Sequence, residues 1–234
     1  MRRIRELIEL VEVKYPKDRF FANIDATLQL SPQARSQYRA YGRALNCLDD
    51  QSWVEIKDKA VGHFLNEREG QRKQGFFNQL NEVFAYEHLI RRGFHSVRSL
   101  REDGKRTPDI EYWEAGERKH CEVKTIGISE DQLSRWREVT AFSGSIYSEL
   151  SVEFLDKLSV TISRAWDQVN SRGNSGLVYL VVYFDDFTLT YYERYRAQIV
   201  ERFKCHSVPT IYAKIKLLGR RRIQKNSPAQ SNGI

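Results

Sequence analysis

The first 70 residues show the apolar spacing of amphipathic helices. Ile4, Leu7 and Val11 recur at intervals of three and four between charged residues, a spacing that predicts a helix with one buried face. A second apolar stripe with helical spacing runs through residues 53–64. We therefore predict a helical N-terminal region over residues 1–70.

A different pattern begins near residue 71, where short strand-like segments alternate with amphipathic helices. The predicted elements are a helix over residues 74–92, a strand over 95–100, a β-hairpin over 107–127, a helix over 155–169, a strand over 176–184, a helix over 190–204 and a strand over 211–217. The run GLVYLVVYF is continuously apolar, which is typical of a strand buried on both faces. The order α-β-β-β-α-β-α-β predicts an α/β fold with a mixed central sheet flanked by helices.

These patterns divide the chain into three regions. We predict a core domain over residues 71–218 after the helical region 1–70, and a basic flexible tail over 219–234. The hydrophobic content of 41% is that of a folded chain able to bury a core. No signal peptide and no membrane-spanning run is evident, so we expect a cytoplasmic protein without a membrane partner. The three cysteines are far apart, which argues against a disulfide framework or a zinc knuckle.

The net charge of +7 points towards a polyanionic partner. Basic residues just before the second strand, in the polar segment after the hairpin and at the start of the tail are candidates for contacts to nucleic-acid phosphates. They are Lys105, Arg106, Arg135, Arg137, Arg220, Arg221 and Arg222. A solubilising tail without a binding role is the alternative explanation for the last three.

The hairpin carries two carboxylates and a lysine in an apolar part of the chain. A turn over residues 115–118 would set Asp109 opposite Lys124 and Glu111 opposite Glu122. Side chains that oppose each other share a face of the sheet. This register therefore predicts that Asp109, Glu122 and Lys124 project from one face.

Two carboxylates held close together repel each other unless a positive charge lies between them. A hard divalent cation such as Mg²⁺ suits carboxylate and carbonyl oxygens, and a neighbouring ammonium could position a water or neutralise a phosphate. A salt-bridged patch of exposed sheet is the other reading of the same residues. Glu111 could also replace Glu122 as a metal ligand or serve as an outer-shell group of the metal site.

The helix before the hairpin adds a further acidic residue. Glu82 shares a helical face with Ala85 and Leu89, at offsets of three and seven. A carboxylate on such a face needs a partner once it is buried. We expect the metal site to provide that partner.

Together these residues resemble the PD-(D/E)XK nuclease superfamily, also called the restriction-endonuclease-like fold. The resemblance is carried by Glu82 on a helix, by Pro108-Asp109 at the start of a strand and by Glu122-Val123-Lys124 on the next strand. A helix and a buried strand follow, so the resemblance covers about residues 74–184.

The resemblance implies a nuclease core. Asp109 and Glu122 would bind Mg²⁺ together with the carbonyl of Val123, Lys124 would activate water, and Glu82 would assist the metal site. Mn²⁺ is expected to substitute for Mg²⁺.

We therefore expect a Mg²⁺-dependent nuclease, with a DNA endonuclease of the restriction, repair or defence type favoured. An RNA-directed nuclease and a non-catalytic nucleic-acid-binding or scaffolding module of the same fold are the alternatives. A homodimer is left open by the sequence.

Overall fold

The protein is described by a computed structural model over residues 1–67, 73–101, 107–127, 148–173, 175–184, 191–216 and 222–225, with the backbone alone for 216 and 222–225. The helices are α1 (Arg2–Lys14), α2 (Ile24–Leu30), α3 (Pro32–Asn46), α4 (Asp50–Gly62), α5 (Gln74–Arg91), α6 (Val152–Asn170) and α7 (Tyr192–Lys204). The strands are β1 (His95–Ser99), β2 (Ile110–Glu114), β3 (Glu117–Ile126), β4 (Gly176–Tyr183), β5 (Ile211–Lys216) and β6 (Arg222–Lys225). The predicted α/β class and the helical N-terminal region are confirmed.

The strands follow one another in the sheet in their chain order, β1-β2-β3-β4-β5-β6. β1 pairs antiparallel with β2, β3 and β4 are parallel, β4 and β5 are parallel, and β5 pairs antiparallel with β6. The sheet is therefore mixed, as predicted. Each parallel pair is joined through a helix, as a crossover between parallel strands requires.

The chain divides into two compact units. The first contains Met1–Asp103 and Asp109–Arg118, and the second contains Gly104–Pro108 and Lys119–Ile234. The sequence analysis predicted a boundary near residue 70 and assigned helix α5 and strands β1 and β2 to the region 71–218. In the structure they belong with the N-terminal helices.

Helix α5 belongs to the first unit because its surface is buried nearly all round. Residues 81–89 are buried without a break, as expected of an interior helix rather than a surface one. The ring of Tyr41 on α3 lies 4.8 Å from that of Phe84, and its hydroxyl donates to Asn81 Oδ1 at 2.9 Å. At the start of α5, Phe76 packs edge-on against Phe64 at 5.6 Å.

A buried lysine ties the start of α5 to earlier parts of the first unit. Lys73 precedes the helix with a left-handed φ of 57°. Its ammonium contacts Asp18 at 2.5 Å and Glu67 at 2.7 Å, and lies 4.4 Å from the centre of the Phe64 ring. Burial lowers the pKa of Lys73, but the hydrogen bonds to the two carboxylates outweigh it, so the pKa is raised overall. The lysine therefore stays charged.

The second unit is built around strand β4. Its six central residues are buried on both faces, as the continuous apolar run predicted. Ser151 caps the start of helix α6, because its hydroxyl accepts the N–H of Phe154 at 3.2 Å. The core shared by the strands and helices of this unit consists of Ile126, Phe154, Leu158, Ile162, Ala165, Val178, Leu180, Val182, Tyr192, Ile199, Phe203, Val208, Ile211, Ala213 and Ile215.

Strand β4 starts with a glycine because the backbone of β3 lies against it. Gly176 has a φ of +152°, which L side chains rarely adopt. A Cβ atom built on it would lie 1.8 Å from the carbonyl oxygen of His120. Only glycine therefore allows β3 and β4 to pair at this position.

The hairpin turn is shorter than the sequence register assumed. Strand β2 ends at Glu114 and β3 begins at Glu117, so the predicted turn over 115–118 is wrong. The turn residues Ala115 and Gly116 have φ of 53° and 83°, the left-handed pair typical of a two-residue hairpin turn. Glu114 therefore opposes Glu117 instead of Lys119. A shift of two residues leaves the face of each side chain unchanged.

No helix in the described part of the chain is long and apolar enough to cross a membrane.

Candidate active site

Strand β3 places Glu122 and Lys124 on one face. In the parallel pair of β3 and β4, Glu122 is in register with Val178 and Lys124 with Leu180. Both partners belong to the core under α6 and α7, as does Ile126, two residues beyond Lys124. Because side chains alternate along a strand, Glu122 and Lys124 share this helix-covered face.

Glu122 and Lys124 form an ion pair. The Glu122 side chain is fully buried, at 0% exposure, whereas that of Lys124 is 35% exposed. The ammonium of Lys124 donates a hydrogen bond to Glu122 Oε1. Burial of a carboxylate is costly unless a charge or several hydrogen bonds compensate it. Lys124 provides that charge while it keeps part of its own side chain in solvent.

Glu82 on α5 is held by a lysine that the sequence analysis did not identify. The ammonium of Lys59 on α4 donates to Glu82 Oε2 at 3.2 Å, and the two side chains are 9% and 5% exposed. Glu82 is thus buried as predicted, and the structure gives it a lysine as partner. The signal was the position of Lys59 beside the apolar stripe of α4, three residues after Ile56 and next to Ala60.

Asp109 lies at the entrance to β2. Pro108 is buried and Asp109 is half-buried, and the carbonyl of Asp109 accepts the N–H of Leu100 at 2.9 Å. This bond continues the ladder between β1 and β2. Asp109 belongs with Glu82 to the first unit, and residues 122–124 belong to the second.

Helix α6 holds the residues that lead into Asp109. The side-chain amide of Gln168 donates to the carbonyl of Thr107 at 2.6 Å, and the Arg172 guanidinium donates to the Thr107 hydroxyl at 3.2 Å. Thr107 lies two residues before Asp109 in the chain. The sequence analysis missed this contact because it joins residues more than 60 positions apart.

Glu111, the alternative ligand, has a cationic neighbour. Its Oε2 lies 3.7 Å from the guanidinium of Arg118. In the two-residue turn geometry, Arg118 opposes Trp113 and is a diagonal neighbour of Glu111.

The described residues contain no group of three or more His, Cys, Asp or Glu side chains placed to hold a metal. The proposed donors are two carboxylates, Asp109 and Glu122, and the carbonyl of Val123. These are hard oxygen donors, which suit Mg²⁺ when water completes its coordination. The donor chemistry therefore fits Mg²⁺.

Most of the basic residues proposed for nucleic-acid contacts belong to segments that the structure does not describe. Lys105, Arg106, Arg135, Arg137, Arg220 and Arg221 lie outside the described residues, and for Arg222 only its backbone in β6 is described.

No family model, no curated protein and no solved structure matches this chain. A function is therefore inferred from the residues themselves and from the order of the elements that carry them.

Proposed function

We propose that this chain is a Mg²⁺-dependent nuclease of the PD-(D/E)XK type, which hydrolyses phosphodiester bonds in DNA. The observation that carries the proposal is the buried Glu122 with its hydrogen-bonded Lys124 on β3. A carboxylate and an ammonium two residues apart on a central strand match the Glu-x-Lys pattern that the resemblance requires.

The order of the elements supports the same proposal. Glu82 lies on α5, Asp109 precedes β2, and the Glu-x-Lys motif lies on β3 after a hairpin turn. Helix α6 and the buried strand β4 follow. This α-β-β-β-α-β order is the one that the restriction-endonuclease-like fold implies.

Each residue has a distinct role in the proposal. Asp109, Glu122 and the carbonyl of Val123 would hold the metal, which when bound supplies a Lewis acid and lowers the pKa of a bound water. Lys124, with 35% of its side chain exposed, can donate a hydrogen bond to a water molecule or to a phosphate oxygen. Its positive charge also favours the extra negative charge of the transition state. Glu82 supports the site from α5.

Cleavage assays test the proposal directly. Purified protein is incubated with supercoiled plasmid, linear duplex, single-stranded DNA and RNA, each with Mg²⁺, with Mn²⁺ or with EDTA. We expect metal-dependent cleavage of DNA that EDTA abolishes. Lys124→Ala should lose cleavage by at least about 100-fold, the scale of a lost general acid–base group, while it retains most nucleic-acid binding.

The control is Lys57→Ala, which removes a half-buried lysine of α4 whose ammonium lies 3.8 Å from the carboxylate of Glu6. This variant should cleave at the wild-type rate. Wild-type cleavage by folded Lys124→Ala would contradict the role proposed for Lys124. Cleavage of RNA but not of DNA would show that the substrate is RNA.

A non-catalytic nucleic-acid-binding module of the same fold is the second candidate. It is favoured by the two lysine pairs, because Lys59 and Lys124 already neutralise Glu82 and Glu122. Thermal melts separate the candidates. A nuclease should melt at higher temperature with Mg²⁺ or Mn²⁺, because a ligand that binds only the folded state stabilises it, and Asp109→Ala should lose this gain. A binding module should show neither effect.

A further inference from the structure

The ladder of β1 and β2 has one face that is open to solvent. His95 is paired with Trp113 and Arg98 with Glu111, and the register shifts between the two pairs. The shift is a β-bulge, which adds one residue to β1 between the two pairs. His95 and Arg98 therefore lie on the same face as Trp113 and Glu111, although they are three positions apart. On the opposite face, Tyr112 is buried.

A tryptophan and two arginines dominate this open face. Trp113 is 40% exposed, and Arg98 and His95 are exposed. Arg118 joins the group through its ion pair with Glu111, and its side chain is 60% exposed. We call Trp113, His95, Arg98 and Arg118 the Trp113 face. All of its residues lie in the first unit.

The part of the chain that includes β1 is basic beside the Trp113 face. Residues 91–101 contain Arg91, Arg92, Arg98 and Arg101 and no aspartate or glutamate. Arg91 pairs with Glu87 at 2.6 Å, and the hairpin contributes Glu114 and Glu117 on either side of its turn. Glu111 offsets one arginine of the face and pairs with Arg118, while Arg98 remains exposed. The face therefore combines a large exposed aromatic ring with the exposed guanidinium groups of Arg98 and Arg118.

These features suit one partner. Every nucleic-acid base has a π-face that stacks on an exposed aromatic ring, and arginines beside the ring can contact the phosphates that flank the base. In a duplex the bases are stacked on each other, so a base can reach a side chain on a sheet surface only from an unpaired strand. Charge complementarity and the exposed ring therefore favour single-stranded nucleic acid.

We infer that the Trp113 face binds single-stranded nucleic acid, with one base stacked on Trp113 and neighbouring phosphates on Arg98 and Arg118. The inference rests on the proposed function, from which it takes nucleic acid as the partner. It adds that the bound nucleic acid has unpaired bases. Alternation along β2 puts Asp109 on the same side as Trp113, four residues away, or about 13 Å at the rise of a strand. A strand bound along β2 would thus extend from the aromatic ring towards the proposed metal ligand.

Binding is measured without cleavage, in EDTA, by fluorescence anisotropy of a labelled oligothymidylate and of a labelled duplex of equal length. The wild-type protein should bind the single strand more tightly than the duplex. Trp113→Ala should weaken single-strand binding by about 5- to 100-fold, as expected for the loss of one stacked base. Trp113→Phe should keep most of the affinity because it keeps a ring.

The arginines have their own signature. Arg98→Gln should weaken binding and reduce the slope of log affinity against log salt concentration by about 0.7, the value for one phosphate contact on a single strand. The matched control is Arg196→Gln on α7, an exposed arginine that lies 3.7 Å from Glu193. It should change neither the affinity nor the slope.

A spectroscopic readout identifies the ring. Stacking of a base should quench tryptophan fluorescence on addition of the oligothymidylate, and this quenching should be lost in Trp113→Phe although Trp53, Trp136 and Trp166 remain. Wild-type affinity in folded Trp113→Ala would overturn the inference. So would a Trp113→Ala variant that binds normally but loses self-association in light scattering, because the face would then bind a second copy.

The inference and the proposed function fail in different ways. Stacking-dependent binding without metal-dependent cleavage would leave the inference standing and remove the nuclease. Cleavage that is unaffected by Trp113→Ala, with unchanged single-strand affinity, would leave the nuclease and remove this binding face.

Discussion

Glu122 lies at a position where a charge is hard to keep. Its side chain is fully buried beside a core of valine, leucine and isoleucine, and Lys124 on the same strand supplies the compensating ammonium. The two side chains differ in exposure, because that of Lys124 is 35% exposed and that of Glu122 is 0% exposed. Removal of Lys124 therefore leaves the buried carboxylate of Glu122 without this ammonium. Removal of Glu122 leaves a lysine that water can solvate.

This asymmetry predicts the stability of variants at the two positions. Lys124→Ala should lower the free energy of unfolding by roughly 1–3 kcal/mol, less than for a fully buried pair because its side chain is partly in water. Adding Glu122→Gln to Lys124→Ala should restore part of that loss, since the buried charge is gone. Urea unfolding of both variants measures the effect.

Lys204→Ala is the matched control for that experiment. It removes a lysine that pairs with Glu201 at 2.8 Å on the exposed surface of α7, and it should not change stability measurably. If Lys124→Ala is as stable as the wild type, the ion pair does not compensate the burial of Glu122.

At the scale of elements, a buried ion pair joins α4 to α5. Lys59 and Glu82 are both less than a tenth exposed, so neither charge can turn to water if the other is lost. We expect Lys59→Met to lower the free energy of unfolding by about 3 kcal/mol, because it leaves Glu82 buried without its ammonium. Glu82→Leu combined with Lys59→Met should recover most of that stability.

A double-mutant cycle in urea measures the coupling of the two side chains. Lys57→Met serves as control on the same helix, because its partner Glu6 is 42% exposed, and it should cost no more than about 1 kcal/mol. A loss as large in Lys57→Met as in Lys59→Met would show that α4 itself is fragile and that the Glu82 pair plays no special part.

At the scale of the whole molecule, the N-terminal helices complete the first unit. The predicted domain boundary after residue 70 lies just before α5, and α5 packs its buried surface against α3 and α4 and against the segment around Phe21. Helix α5 also carries Glu82, so the helices that precede it position a residue of the proposed site.

A chain that begins at residue 71 tests this organisation. It lacks Phe21, Tyr41 and Phe64, whose rings pack on α5, and it exposes a helix that is buried on most sides in the full chain. We expect the fragment to lack a cooperative melting transition and the near-ultraviolet dichroism of packed aromatic rings. A fragment with a sharp transition of its own would instead support the boundary that the sequence suggested.

Much of the fold could be read from the sequence because its signals are local. Helical spacing predicted α6 within a few residues, and the continuous apolar run predicted β4. The start of α3 has an equally local cause, because Ser31 precedes Pro32 and its hydroxyl accepts the N–H of Ala34 at 3.1 Å. These features depend on the preferences of neighbouring residues, which the sequence displays directly.

Tertiary structure decided what depends on distant residues. The partner of Glu82 comes from another helix, and Thr107 is held by α6. The grouping of α5 with the N-terminal helices depended on which side chains cover that helix. The hairpin register depended on Ala115 adopting a left-handed conformation, which is uncommon for a residue with a side chain. The sequence by itself therefore determined most of the elements and the face shared by Glu122 and Lys124. It did not predict β6 (Arg222–Lys225), which lies in the region expected to be a flexible tail. Packing decided which charges Glu122 and Lys124 meet, because a buried charge takes whichever partner the fold brings within reach.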